Sequence, residues 1–251
     1  MAIYMWRELD TRHFATQWPC PDEFHVPLGD EWTQIHNMWV SLWAWSSSWY
    51  SDMSTKLKLP LCSWLQNESW TKDTGAVWYY YSSTHSQYAN GSLCLTIGGG
   101  LLVPNSFVRC AYGCSIRAFK NMPSVPDSNW TTIYQWTWIA WIFYNSSEWL
   151  ISISSDWTAW ITIADKNLWA TTVWNNWNTL TASNCGWYYQ WGNNYMFPFS
   201  WATTTSSTQV NASSYWPWNY YSSSTFILNN WTWDSSDSKN LRWWEDGNVP
   251  V

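Results

Sequence analysis

The tryptophan content is the feature that most limits how this chain can fold. Tryptophan occurs 29 times in 251 residues, whereas glycine occurs only 10 times. A buried tryptophan brings about 150–250 Å² of surface with it, so this set would need a very large apolar interior. Many of the tryptophans stand instead in turn contexts, where glycine is expected because it takes φ > 0 without steric cost. Examples are Asp156-Trp157-Thr158, Asn176-Trp177-Asn178, Pro217-Trp218-Asn219 and Asn230-Trp231-Thr232.

One cause accounts for both the excess and the deficit if the source lineage decodes the UGA codon as glycine and the codon is written here as tryptophan. Under this hypothesis the turn-context residues are glycines: Trp149, Trp157, Trp169, Trp177, Trp201, Trp216 and Trp218. Residues in aromatic or helical patterns are predicted to be genuine tryptophans: Trp32, Trp45, Trp174 and Trp191. The alternative is a truly tryptophan-rich carbohydrate-binding surface. UGG codons at Trp177 and Trp218 would exclude the recoding hypothesis.

The turn-forming residues Pro123 and Pro126 predict a linker at 122–129, which joins two parts, residues 1–121 and 130–251. Apolar residues at helical spacing predict a helix over 30–45, with Gly29 or Asp30 as its N-cap. A second short helix is predicted over 50–57. Strand patterns follow at 77–83, 92–97, 106–110, 131–134, 139–144, 150–154 and 160–164. The polar segments 200–214 and 222–238 are predicted to be surface loops.

Charge excludes some partners. The net charge is −6, and only 11% of the residues are charged, against roughly 25% in typical soluble domains. Nucleic-acid binding needs a clustered basic face, which this composition does not provide. No apolar run approaches the ~18 residues of a spanning helix. Residues 1–10 carry charges where a signal peptide has its apolar region, so we expect export to be directed by a segment outside this chain.

The cysteines and histidines do not form a metal or catalytic pattern. Six cysteines, at positions 20, 62, 94, 110, 114 and 185, allow 15 full pairings. The four histidines, at 13, 25, 36 and 85, show no metal-ligand spacing with cysteine or acids. No nucleophile elbow accompanies the many serines. The sequence therefore predicts disulfides rather than a metal site, and neither a cofactor nor a catalytic set.

Several short strings, taken together, resemble the Fibrobacter succinogenes major paralogous domain family of bacterial surface proteins. They are CPDEFHVP at 20–27, EW at 31–32, YYYSST at 79–84, SFVRC at 106–110, IADKNL at 163–168 and NCGWYYQWGN at 184–193. In that family the last two strings open the domain and the others close it. The order here is reversed, so the chain resembles the C-terminal part of one copy followed by the N-terminal part of the next. Glu23 stands at a usual glycine position of the family, which recoding does not explain.

The resemblance implies an α+β, C-type-lectin-like fold of short helices, small twisted antiparallel sheets and long polar loops. It implies structural roles for the motif residues, which are Phe24, His25, Pro27, Trp32, Arg109, Asp165, Asn167, Gln190, Trp191 and Gly192. It also suggests a Cys20–Cys110 disulfide, because that fold brings the entrance of the helix beside the closing strand. No catalytic residues are implied.

The resulting expectation is a non-enzymatic, cell-surface or secreted binding and display module, with glycans or other surface ligands as partners. Aromatic strings such as 79–81, 187–189 and 220–221 can stack on sugar rings, or their alternating members can pack in a sheet. The first alternative function is a structural repeat of a large surface protein. The second is an enzyme of the sulfatase-activating branch of the same fold, which depends on reactive cysteines.

Overall fold

The computed structural model describes residues 20–43, 54–62, 77–86, 91–98, 101–109, 112–136, 140–154, 156–175, 179–190, 195–197, 204–206 and 224–227. These residues form a mixed fold of few helices and mainly antiparallel strands, so the predicted α+β class is confirmed. The helices are α1 (Gly29–Trp43) and α2 (Ala182–Cys185). The strands are β1 (Phe24–His25), β2 (Val77–His85), β3 (Gly91–Gly98), β4 (Leu101–Arg109), β5 (Gly113–Cys114), β6 (Arg117–Lys120), β7 (Thr131–Trp136), β8 (Ala140–Asn145), β9 (Leu150–Ser154), β10 (Ile161–Asn167), β11 (Tyr189–Gln190), β12 (Thr204–Ser206) and β13 (Thr225–Ile227).

The main sheet has six antiparallel strands in the order β1-β6-β10-β9-β8-β7. Its first two strands precede the predicted linker, whereas the other four follow it. Strand β6 pairs with β10 through Phe119 opposite Ile163 and Arg117 opposite Asn167. Strands from both sides of the predicted linker therefore pair in one sheet. We call residues 20–121 segment A and residues 130–190 segment B.

A second sheet, β2-β3-β4, is a meander within segment A, and α1 packs against it. Trp32 of α1 is fully buried in the core that this sheet shares with the main sheet. Its ring meets Phe119 edge-on at 4.9 Å between centroids and lies 6.1 Å from the Tyr80 ring. This one indole of α1 thus contacts both the meander and the main sheet, which is why a large aromatic residue suits this position.

The long helix and the strands of the sequence prediction are present, although the predicted N-cap is wrong. Gly29 is already the first helical residue, so Leu28 occupies the N-cap position. The Glu31 carboxylate accepts a hydrogen bond from the Leu28 amide at 2.7 Å, which is half of a capping box. A side chain three positions into the helix therefore supplies the cap, and Asp30 is left exposed to solvent.

The segments predicted to be polar loops contain a small sheet. Residues 204–206 (β12) and 225–227 (β13) pair in parallel, with Thr205 opposite Phe226. Phe226 is buried and meets Phe197 edge-on at 5.0 Å, so one apolar residue anchors an otherwise polar stretch. The helix predicted over 50–57 is present at residues 54–56, and residues 50–53 lie outside the described part of the chain.

Three tryptophans occupy the left-handed region of backbone space. Trp149, Trp157 and Trp169 have φ values of 63°, 66° and 62°, and their side chains are 50%, 48% and 53% exposed. A non-glycine residue is uncommon there, and a bulky one is a genuine outlier. All three belong to the set that the recoding hypothesis assigns to glycine. Glu23, at the other expected glycine position, also has a positive φ of 68°.

The tryptophans predicted to be genuine behave in the opposite way where the structure describes them. Trp32 and Trp174 are buried, and neither is among the residues with positive φ. The backbone φ angle therefore distinguishes the described tryptophans that the sequence contexts assign to glycine from those that they predict to be genuine. Trp45, Trp177, Trp191, Trp201, Trp216 and Trp218 lie outside the described residues.

We predict that Trp169→Gly raises the free energy of unfolding by about 1 kcal/mol, because the relief of a left-handed strain of roughly 1–2 kcal/mol outweighs the chain entropy that glycine adds to the unfolded state. Trp149→Gly should gain less, because the Lys166 ammonium lies 3.7 Å from its ring centroid and such a contact contributes ~0.5–1 kcal/mol. Trp157→Gly should gain least, because this indole contacts three other rings.

Urea denaturation of the single variants measures this order. The matched controls are Trp32→Gly and Trp174→Gly, each of which should lower the free energy of unfolding by about 3–5 kcal/mol because a buried aromatic is removed. Equal destabilisation by all five substitutions would contradict the strain argument.

Candidate functional site

The motif residues Asp165 and Asn167 lie on β10, at the boundary where segment B meets segment A. Ile163, Asp165 and Asn167 of this strand are all buried and alternate with the half-buried Ala164 and Lys166, and the pairing with β6 shifts in register between Ile163 and Asn167. Arg117 of β6 faces them and is itself fully buried. A polar cluster therefore lies inside the protein, with one cation supplied by segment A and one carboxylate by segment B. We call it the junction.

Backbone carbonyls hold the Arg117 guanidinium in place. Its Nη1 donates to the Ala164 carbonyl at 2.8 Å, and its Nη2 donates to the Lys58 carbonyl at 2.6 Å. One bond therefore reaches segment B and the other stays within segment A. Hydrogen bonds to a charged group contribute about 1.5–3 kcal/mol each, roughly twice the neutral value. Arg117 thus links the two segments through its hydrogen bonds.

The carboxylate of Asp165 balances the buried cation. Its Oδ2 accepts the Tyr144 hydroxyl at 2.8 Å. Burial lowers the pKa of Arg117 to about 10, and the nearby charge of Asp165 opposes that shift. Because this pKa is still far above neutrality, Arg117 stays a cation at pH 7. Burial also lowers the pKa of Lys58, whose ammonium lies 3.4 Å from the centre of the Tyr144 ring.

The junction is not fully satisfied by its own hydrogen bonds. Arg117 Nε, Asp165 Oδ1 and Asn167 Oδ1 have no hydrogen-bond partner among the described residues. One is a donor and two are acceptors, and each carries a desolvation penalty of roughly 1–3 kcal/mol. The cluster is therefore stable only while both segments keep their opposite charges together.

Asn167 connects the junction to a disulfide. Its Nδ2 donates to the Cys185 carbonyl at 3.0 Å, and Cys185 is bonded to Cys62 of segment A. Gly186 follows with φ 74°, and a Cβ there would collide with the Leu168 carbonyl. The glycine is thus required for the close approach of α2 to the end of β10.

The predicted Cys20–Cys110 disulfide does not agree with the structure, in which Cys20 is a free thiol. Cys20 is buried in an apolar cluster with Tyr81 and Tyr189, and burial raises the pKa of its thiol. Cys110 lies outside the described residues. The bridge observed, between Cys62 and Cys185, spans 123 positions and joins the two segments. The general prediction of a disulfide is therefore confirmed, but its partners were wrong.

The remaining motif residues of segment A surround the start of α1. The His25 ring is held between Asn121 Oδ1, at 2.8 Å from Nδ1, and Glu31 Oε2, at 2.9 Å from Nε2. Pro27 is buried, and its carbonyl accepts the Ser83 amide at 2.7 Å. Phe24 packs at the edge of the apolar cluster around Cys20. These residues fix the entry of the helix.

The other motif positions are distributed between strands and undescribed segments. Gln190 is buried in β11, where it pairs with Gly113 of β5 and so joins segment B to segment A a second time. Arg109 ends β4, and its side chain lies outside the described part of the structure. Trp191 and Gly192 also lie outside it. Apart from Gln190, the motif residues whose side chains are described therefore lie at the junction and around the start of α1.

The aromatic strings of the sequence mostly pack inside the protein. Tyr80, Tyr81, Tyr188 and Tyr189 are buried, whereas Trp187 is exposed. Packing in the core therefore describes the strings at 79–81 and 187–189 better than sugar stacking does, although the buried members are adjacent residues rather than the alternating ones expected. The string at 220–221 lies outside the described residues.

A surface aromatic cluster that sequence analysis missed lies on β8 and the β9–β10 connection. Trp157 meets Trp141 at 4.8 Å, Trp160 at 5.5 Å and Phe143 at 5.7 Å, each edge-on. Trp141 and Phe143 stack at 6.0 Å, since residues two apart share a strand face. That spacing of two, followed by two tryptophans after the next strand, was the available signal. We call these four rings the aromatic patch.

Among the residues that the structure describes, no group of three His, Cys, Asp or Glu side chains is placed to hold a metal ion. Within those residues, no helix combines the length and the apolar character that crossing a membrane requires.

Comparison with protein-family models, with curated proteins and with solved structures gives no match.

We predict that Arg117→Met lowers the free energy of unfolding by about 3–5 kcal/mol, because it removes the fully buried cation near the buried Asp165 carboxylate and leaves the half-buried Lys58 ammonium as the nearby positive charge. The double variant Arg117→Met with Asp165→Asn removes both charges, so it should be distinctly more stable than the sum of the two single losses. Denaturation of the four chains of this cycle measures the coupling. Strict additivity would contradict a charge-balanced junction.

Proposed function

We propose that the chain is part of a non-enzymatic, extracytoplasmic module with a C-type-lectin-like fold, which binds a neutral glycan at a cell surface. The observation that carries the proposal is the aromatic patch. Ligand sites in proteins are mainly apolar and aromatic, with a few fixed polar groups at the rim. The apolar faces of sugar rings stack on such aromatic surfaces, and the patch provides four neighbouring rings, of which Trp157 is exposed, Trp141 and Phe143 are half-buried and Trp160 is buried.

The surroundings of the patch suit an uncharged polar ligand. The nearest carboxylate in sequence, Asp156, is engaged by its own turn, since its Oδ1 accepts the amides of Thr158 at 2.9 Å and Ala159 at 3.1 Å. These bonds lower the pKa of Asp156, so it is ionised at neutral pH. Hydroxyl side chains of serine and threonine dominate the rest of this connection. A glycan, with many hydroxyls and apolar ring faces, matches this chemistry.

The disulfide supports a location outside the cytoplasm. Disulfides persist in oxidising compartments and are rare where thiols are kept reduced. The low content of charged residues, 11%, agrees with a secreted surface rich in neutral polar groups. A module stapled between its two segments is also suited to exposure, because the bond limits unfolding outside the cell.

A second function, that of a structural repeat in a large surface protein, is favoured by one specific observation. The described motif residues serve the junction and the helix entrance rather than an exposed cleft. The sulfatase-activating enzyme is less well supported, because the nucleophile of a reactive cysteine is the thiolate. Burial raises the pKa of Cys94 to about 12 and that of Cys20 even further, so both stay protonated.

We predict that the chain binds neutral polysaccharides and that Trp141→Ala weakens binding at least tenfold, a loss of about 1.4 kcal/mol. The Trp157→Gly variant should bind at least as tightly as the original chain, because removal of this indole exposes the three rings that it contacts. A glycan array followed by titration calorimetry provides the measurement.

Trp169→Gly is the matched control, since Trp169 is exposed to about the same degree as Trp157 and is not among the four rings of the patch. If no neutral glycan binds, or if Trp141→Ala and Trp169→Gly weaken binding equally, the glycan proposal fails. The structural-repeat function would then be the better account.

A further inference from the structure

We propose that the interface between segments A and B is also a docking surface for a second copy of this chain, so that two copies can exchange their segments. The partner is fixed by the chemistry of the interface. Whatever binds the β10 edge of segment B must supply an antiparallel strand with a buried arginine opposite Asn167, close enough to Asp165 to interact with its charge. Segment A of another copy supplies both.

Each segment leaves an incomplete sheet edge that the other completes. Strand β10 pairs with β6, and β11 pairs with β5 through Tyr189 opposite Cys114. Between these pairs, the Leu168 amide donates to the Ile116 carbonyl at 2.9 Å. Alone, segment B would expose an unpaired edge with Asp165 and Asn167 on it, and edges of this kind pair readily with another chain.

Charge strengthens this mutual requirement. Without segment A, the Asp165 carboxylate loses Arg117, and without segment B, Arg117 loses both Asp165 and the Ala164 carbonyl. Breaking a buried pair by removing one partner is strongly destabilising, whereas restoring the same partner from another copy is neutral. The interface therefore selects for its own counterpart and does not distinguish which copy provides it.

The connection between the segments is peripheral to this interface. Residues 121–130 join β6, the second strand of the main sheet, to β7 at the opposite edge. Four strand spacings amount to about 19 Å, and a connection of this length can reach ~33 Å when extended. Met122 and Val125 in it are 73% and 66% exposed. Exchange of an element through an exposed hinge is the usual route of domain swapping.

The connection is held to the sheet at its start, where the Asn121 amide donates to the Glu23 carbonyl at 2.8 Å, and again at Ser124. Ser124 donates its amide to Thr162 Oγ1 at 2.7 Å and accepts the Ser152 hydroxyl at 2.6 Å. Pro123 and Pro126, on either side, favour extended backbone. Releasing Ser124 therefore frees a stiff, extended arm, while the interface itself keeps all its contacts in the exchanged form.

The Cys62–Cys185 disulfide shows whether a paired segment A and segment B belong to one copy or to two copies. Equal amounts of ordinary and ¹⁵N-labelled full-length chain are unfolded in reductant, mixed and refolded at several concentrations, and allowed to oxidise. Peptides linked through Cys62 and Cys185 are then read by mass spectrometry. Exchange predicts linked peptides that combine one light and one heavy half, in a fraction that rises with chain concentration.

Complementary variants give an independent reading. Chains carrying Cys62→Ser and chains carrying Cys185→Ser cannot form this bond alone, but a mixed pair that exchanges segments forms it once. A covalent dimer whose linked peptides contain Cys62 and Cys185 supports the proposal, and each variant refolded alone is the control. Light–light and heavy–heavy peptides only, at every concentration, would overturn the proposal whatever the variants do.

Discussion

The buried cation of Arg117 is the interaction on which the rest of this structure depends. It lies between two segments that the sequence places on either side of a linker, and its hydrogen bonds extend to carbonyls of both. A buried charge is tolerated only with a counter-charge and with bonds to its protons. Asp165 provides the first, and the two carbonyls provide part of the second. The shared sheet, the disulfide and the β5–β11 pair all surround this point.

A second constraint acts at the turns that connect the strands of segment B. The chain reverses at Trp149, Trp157 and Trp169 with left-handed backbone, which side chains of this size rarely adopt. The turn at Trp149 also supports the junction, because its carbonyl accepts the Asp165 amide at 2.9 Å. The decoding of UGA as glycine remains a hypothesis about the gene. It gives a physical reason why turns that need glycine carry tryptophan while the buried core tryptophans fit.

Local patterns in the sequence predicted the local structure well. The 3.6-residue spacing around Trp32 marked α1, and the strand patterns marked β2 to β4 and β7 to β10, although β4 begins earlier, at Leu101, and β6 was not predicted. The junction was not predictable, because Arg117 lies outside every motif string and its partners Lys58 and Asp165 are distant in the chain. The disulfide partner of Cys62 lies 123 positions away for the same reason. Periodicity reports which face of an element is apolar, but not which other element covers that face. The N-cap was missed because the cap is a carboxylate reaching back from inside the helix.

Native-state hydrogen exchange tests most directly whether the two segments form one cooperative unit through the junction. The amides of β6 and β10 belong to different segments and pair through Phe119 and Ile163. If the junction unites them, these amides open together, with a single free energy that equals the free energy of global unfolding. If the amides of β6 keep their protection at denaturant concentrations where those of β10 have lost it, the segments unfold separately. That result would contradict the central role of Arg117.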